Sequence, residues 1–159
     1  MRLLLNLFKL RIGVAIALAA VAGLAVTPGA LGAWQAVVLT LAVLVSSAAA
    51  GAFNQYAEAD SDRLMARTRN RPFATGSIAP TPIWLLLMAV MLAVSVAAAW
   101  WVLNAMSALY VFLGAFFYGV VYTLWLKRRS WLNIVVGGLA GSFAVLAGAA
   151  AVNPAVGVH

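Results

Sequence analysis

Cysteine is absent from these 159 residues, and only three carboxylates occur among them. The lack of cysteine excludes disulfides, thiolate metal sites and cysteine nucleophiles, and leaves the redox compartment open. Charge of either sign is scarce, at 8% of residues, against about a quarter in an ordinary soluble domain. No Asp, Glu, Lys or Arg occurs from Ile12 to Ala57, from Pro72 to Leu126, or from Ser130 to His159. With 66% hydrophobic residues and a mean hydropathy of +1.06, water cannot be the solvent for most of the surface. A crossing of the hydrocarbon core needs roughly 20 apolar residues, and each uncharged stretch can supply at least one. A cleavable signal peptide does not fit, because the first apolar stretch runs past signal-peptide length and others follow it. The net charge of +7 is not read as nucleic-acid binding, since the basic residues lie only beside apolar spans.

The expected fold class is therefore all-α, a polytopic bundle in the lipid bilayer, because helices satisfy every backbone polar group internally. Pro28, Gly29 and Gly32 divide the first stretch into spans of about Leu10–Thr27 and Trp34–Ala57. The second divides near Asn104–Ser107 into Pro82–Leu103 and Ala108–Leu126, and a fifth span runs from about Trp131 to Val152. All ten basic residues fall in three groups, before the first span, between the second and third, and between the fourth and fifth. Alternation puts the three groups on one side, which the positive-inside rule makes cytoplasmic, in a bacterial-type inner membrane. The six tryptophans all fall near predicted span ends, where an amphipathic ring prefers the headgroup zone. Gly137, Gly138, Ala140 and Gly141 predict a close approach of the fifth helix to a neighbour.

All three acids lie within five residues, as Glu58, Asp60 and Asp62. Asn54 precedes them, giving Asn-x-x-x-Glu-x-x-x-Asp at the end of the second span. Residues four apart share a helix face, so Asn54, Glu58 and Asp62 form a polar stripe about 12 Å long, while Asp60 points away. Carboxylates stacked in this way repel unless a cation sits among them. Hard oxygen donors of this type suit Mg²⁺, held by one or two carboxylates together with substrate phosphates. The plainer alternative is that the acids neutralise the neighbouring arginines. Arg67, Arg69 and Arg71 offer forks for phosphate oxygens, and Lys127 and Arg128 arrive at the same level, where a purely topological role is equally compatible.

The segment NQYAEADSDRLMARTRNRPFATG, Asn54 to Gly76, resembles the first Asp-rich motif of the UbiA superfamily of intramembrane prenyltransferases. Within it, DSDRLMARTRNRP is most similar to the haem O synthase branch. YTLWLKRRSWLNIVVGGLAG, Tyr122 to Gly141, resembles a second segment of that branch, and FKLRIG, Phe8 to Gly13, loosely resembles its entry to the first helix, with Leu10 in place of Pro. The resemblance implies an enzyme that moves a farnesyl group from farnesyl diphosphate to haem b, with Mg²⁺ as cofactor. It places Asn54, Glu58 and Asp62 at the metal as catalytic residues, and Arg67, Arg71, Lys127, Arg128 and Arg11 on the diphosphate. Tyr118, Tyr122, Phe53 and Tyr56 lie near the depth at which aromatic faces could meet a carbocation. Glu58 stands where Asp is usual, which leaves its metal geometry open.

The family fold implies nine transmembrane helices and a second acidic motif. Residues 1–159 carry about five spans and no acid after Asp62, so they are expected to be the amino-terminal part of one prenyltransferase domain, inactive alone. The partner is then the remaining half or a second copy. Other readings are a related enzyme acting on a quinone or chlorophyll precursor, and a non-catalytic membrane remnant.

Overall fold

The computed structural model describes residues 2–126 and 133–156. All regular elements among them are helical: α1 (Arg2–Leu7), α2 (Leu10–Val26), α3 (Ala33–Ala57), α4 (Ala59–Arg63), α5 (Pro72–Thr75), α6 (Pro82–Val102), α7 (Ala105–Phe116) and α8 (Asn133–Val152). α7 continues without a break as a π-helical segment over Phe117–Leu126. The expected spans thus map onto α2, α3, α6, α7 with its extension, and α8. Of these, Ala33–Ala57, Pro82–Val102 and Ala105–Trp125 are long and apolar enough to cross a membrane. Leu10–Val26 and Gly137–Val152 are apolar but shorter.

Many large apolar side chains face outward, among them Leu18, Leu41, Leu86 and Val94. Such a surface is stable in lipid and not in water. The interior, by contrast, is built from small residues: Ala17, Ala20, Ala42, Ala99, Ala108, Ala147 and Ala150 are buried. With lipid tails as apolar as leucine, helices gain from backbone proximity, and alanine permits it.

The closest approach joins α2 to α8. A Cβ at Gly23 would land on the carbonyl oxygen of Val145, and one at Gly148 on that of Ala20. The expected close-packing residues, Gly138 and Gly141, do not make such a contact. Among the described residues, a Cβ at either would meet nothing within 4 Å. Of that group, a Cβ at Gly137 would lie 3.4 Å from the Tyr122 ring, and Ala140 is buried.

At the end of the bundle away from the acids, Asn104 caps α7, its Oδ1 accepting from the Ser107 amide at 2.9 Å. Its Nδ2 donates to the Ala150 carbonyl at 2.8 Å, and Ser107 Oγ donates to that of Ala147 at 2.9 Å, tying α7 to α8. Trp34, Trp100, Trp101 and Trp125 are exposed at span ends, while Trp84 packs edge-on against Phe73 at 5.8 Å. Trp131 lies outside the described residues.

Replacing Gly148 with Ala forces a methyl onto backbone, which no rotamer change relieves. Gly148→Ala is expected to cost about 1–3 kcal/mol of stability, the range for overpacking. Leu18→Ala on the outer face should be near neutral in comparison. Thermal melting of both variants in one detergent checks this.

Candidate active site

α3 ends at Ala57 because Glu58 leaves helical geometry, at φ −105° and ψ 6°. The expected polar stripe survives this break, since the Glu58 amide still donates to Asn54 O at 3.2 Å and the Asp62 amide to Glu58 O at 2.8 Å. Asn54, Glu58 and Asp62 are all buried, with exposures of 2%, 6% and 2%. Asp60 points to solvent and pairs with Arg63 at 3.3 Å. That pair is half-exposed and contributes little.

Two buried carboxylates one turn apart need a counter-charge, and Arg71 supplies it. Its Nη1 donates to Asp62 Oδ2 at 2.7 Å and lies 3.6 Å from Glu58 Oε2. The placement follows from the loop. Pro72 opens α5, and Phe73, fully buried, sits edge-on to Tyr56 at 5.5 Å and to Trp84. Thr68 Oγ donates to the Asp62 carbonyl at 3.3 Å, closing the loop on itself. Arg67 and Arg69 extend into solvent from the same loop, and Arg11 is exposed on α2. Lys127 and Arg128 lie outside the described residues.

A second cation reaches the site from a residue whose role the sequence did not reveal. Lys9 sits between α1 and α2 in the left-handed region, at φ 46°, which costs a non-glycine residue energy unless its surroundings hold it there. Lys9 Nζ donates to Asn54 Oδ1 at 2.6 Å and to the Tyr118 hydroxyl at 3.0 Å. Gly51 leaves room for its stem, whose carbons would lie 3.4–3.6 Å from a Cβ there. Gln55, buried on α3, holds the end of α1 by donating Nε2 to the carbonyls of Asn6 and Leu7. With its oxygen taken by a cation, the Asn54 amide must turn its N–H groups the other way. They donate to Glu58 Oε2 and Thr123 Oγ, both at 3.1 Å.

Thr123 and Tyr118 meet this cluster together because of the π-helical segment. Residues five apart would diverge by about 140° on an α-helix but align when the backbone bonds i to i+5. Accordingly Thr123 Oγ also donates to the Tyr118 carbonyl at 2.8 Å. The Tyr118 ring stacks on Tyr122 at 5.6 Å, and Lys9 Nζ lies 5.6 Å from its centroid.

Lys9 and Tyr118 also form the polar end of an apolar cavity of about 270 Å³ between α2, α3, α7 and α8. The arrangement is two-ended. Buried carboxylates with two cations stand at one end of a bundle, and one of those cations, Lys9, also borders an apolar hollow. That combination suits a molecule with an anionic head and a hydrocarbon tail.

A family model described as the UbiA prenyltransferase family matches residues 15–159. The chain belongs to that family. Among similar proteins, protoheme IX farnesyltransferase 2 of Paramagnetospirillum magneticum is 58% identical over 97% of this chain and 54% of its own length. The protoheme IX farnesyltransferase of Hyphomonas neptunium is 41% identical over 93% of this chain and 48% of its own length. A solved UbiA homolog from Archaeoglobus fulgidus, bound to DMAPP and Mg²⁺, superposes with a TM-score of 0.76 at 22% identity, covering 92% of this chain and 53% of that one. A second structure, of a UbiA homolog from the same organism bound to GPP and Mg²⁺, gives a TM-score of 0.75. The fold is thus that of an intramembrane prenyltransferase, and the chain spans about half the length of the curated relatives it matches.

Removing the Arg71 guanidinium takes its positive charge away from buried Asp62 and from Glu58 beside it. Arg71→Gln should cost about 3 kcal/mol, the low end for a broken buried pair, because the arginine is itself partly exposed. Added Mg²⁺ should raise the melting temperature of the variant more than that of the unaltered protein. Equal shifts would mean the carboxylates do not attract a cation.

Proposed function

We propose that this chain forms the diphosphate-ionising part of an intramembrane farnesyltransferase that converts haem b to haem O. The observation that carries the reading is the buried Glu58–Asp62 pair, joined through Asn54 to Lys9 at the polar end of an apolar cavity. The names of the relatives support haem b as acceptor and farnesyl diphosphate as donor. On this reading residues 1–159 belong to a single transmembrane prenyltransferase domain.

The donor set fits Mg²⁺. Glu58 and Asp62 are hard oxygen donors close enough to share one guanidinium, and among the described residues no third Asp, Glu, His or Cys joins them. Two carboxylates completed by water and phosphate oxygens are a usual set for this ion. Glu58 and Asp62 would hold it, with Asn54 entering as a ligand only if its oxygen leaves Lys9. When bound, the ion supplies neutralisation of the charge that grows on the diphosphate as the carbon–oxygen bond breaks.

The remaining work falls to the chain's own groups. Arg71 can pass from the carboxylates to the diphosphate without leaving the site, and Arg67 and Arg69 lie free in the same loop to follow it. Lys127, Arg128 and Arg11 are proposed as further diphosphate contacts. The apolar cavity seats the hydrocarbon chain and keeps water from the allylic carbon. The leaving diphosphate takes the bonding electron pair, and a vinyl group of haem b captures the cation before water completes the product. We place the site on the cytoplasmic side, where all ten basic residues gather.

In the full-length protein, Asp62→Asn should lower haem O formation from haem b and farnesyl diphosphate on the order of a hundredfold or more. Asp60→Asn, at an exposed position, should stay within a few-fold. Product mass in membranes carrying each variant decides it, and an active Asp62→Asn would remove the proposed role of the pair. Reporter fusions after Gly32 and Asn104 should read as external, and one after Gly76 as cytoplasmic.

A further inference from the structure

Among the described residues, two glycines on α8, Gly138 and Gly141, pack closely against no neighbouring atom. Glycine inside a helix costs about 1 kcal/mol relative to alanine. Gly23 and Gly148 return that cost through backbone contact, as a Cβ at either would strike a carbonyl. Gly138 and Gly141 return nothing of the kind, since a Cβ at either would meet no atom within 4 Å. Both border the 270 Å³ cavity beneath Lys9 and Tyr118.

Their depth in that cavity is fixed by the helix rise. Gly137, beside the Tyr122 ring, lies at the polar mouth. Gly141 is four residues further, about 6 Å deeper along α8. On the facing wall, Gly51 lies beside the Lys9 stem and Val43 is eight residues, about 12 Å, below it. Ser47 is midway, at the level of Gly141. The polar groups deeper in the cavity are already satisfied. Ser46 Oγ donates to its own helix at the Val43 carbonyl, and the Tyr110 hydroxyl donates to the Val156 carbonyl. Below Ser47, the cavity therefore offers mainly shape and apolar surface.

We propose that Gly138 and Gly141 are specificity-determining residues that keep the lower cavity open for the distal isoprene units of the prenyl chain. This rests on the prenyltransferase reading above and adds to it the residues that set chain length. A chain anchored by its diphosphate at the mouth places its first unit above these glycines and its later units beside and beyond them. Side chains at 138 or 141 then exclude long chains and leave short ones unaffected. Leucine is the better helix former, so its introduction does not oppose the helix itself.

The test compares kcat/KM of the full-length protein for dimethylallyl, geranyl and farnesyl diphosphates, with haem b as acceptor. Gly138→Leu and Gly141→Leu are measured alongside Ser47→Leu, which fills the same level from α3. Pocket shape discriminates single methylene groups by about 10–200-fold. The farnesyl-to-geranyl preference should accordingly fall at least tenfold in Gly141→Leu, with dimethylallyl diphosphate little affected. Melting temperatures identify a variant that fails to fold, in which case Ser47→Leu decides. A folded variant that keeps the unaltered preference, or loses all three substrates equally, overturns the proposal. Absence of prenyl transfer from any diphosphate by the unaltered protein overturns the functional reading itself, and this inference with it.

Discussion

Two carboxylates, Glu58 and Asp62, are held almost wholly out of water one helical turn apart. Such a pair is unstable unless positive charge is brought to it. Much of the irregular structure around it serves that need. The chain reverses over Leu64–Arg71 so that Arg71 reaches back to both acids, and Phe73 anchors the reversal between Tyr56 and Trp84. The guanidinium occupies the region into which the carboxylates draw a cation. On the proposed reading, metal and diphosphate would exchange one positive charge for another at this pair with no change in fold.

The second cation acts through hydrogen-bond polarity. Lys9 can only donate, so it takes the Asn54 oxygen and leaves the Asn54 amide to donate toward Glu58 and Thr123. An asparagine in this orientation supports the Glu58 carboxylate as a donor. The same ammonium bonds the Tyr118 hydroxyl, and Tyr122 stacks on the Tyr118 ring. Held at its hydroxyl and on one face, the Tyr118 ring borders the cavity beside the polar cluster.

The spans were legible because lipid imposes a crude rule, a long run without charge, and the structure returns helices close to each predicted run. The acidic stripe was legible because Asn54, Glu58 and Asp62 keep four-residue spacing even across the break at Glu58. Lys9 and Thr123 were not. Lys9 acts through a left-handed backbone that no pattern of side chains announces. Thr123 joins Tyr118 only because the backbone there bonds i to i+5, whereas a 3.6-residue period sends them apart. The glycines of α8 were visible but ambiguous, since close packing and an open cavity both call for glycine. The packing role belongs to Gly148 and Gly23, which the sequence does not distinguish from their neighbours.

Those two kinds of glycine join the ends of the bundle mechanically. α2 is pressed against α8 by Gly23 and Gly148 toward its far end, while its first residues carry Lys9 into the polar cluster. A displacement of α2 at the glycine contact would therefore travel along a stiff helix to the ammonium that orients Asn54. It would also alter the cavity, because α2 and α8 are two of its walls. Site electrostatics and cavity shape thus share a dependence on this helix–helix contact. Interiors packed through alanine and glycine backbones have little freedom to absorb such a shift. On the proposed reading, a substrate with charge at one end and hydrocarbon at the other would meet both features in fixed register, the carboxylates at one end and the open stretch of α8 along the cavity.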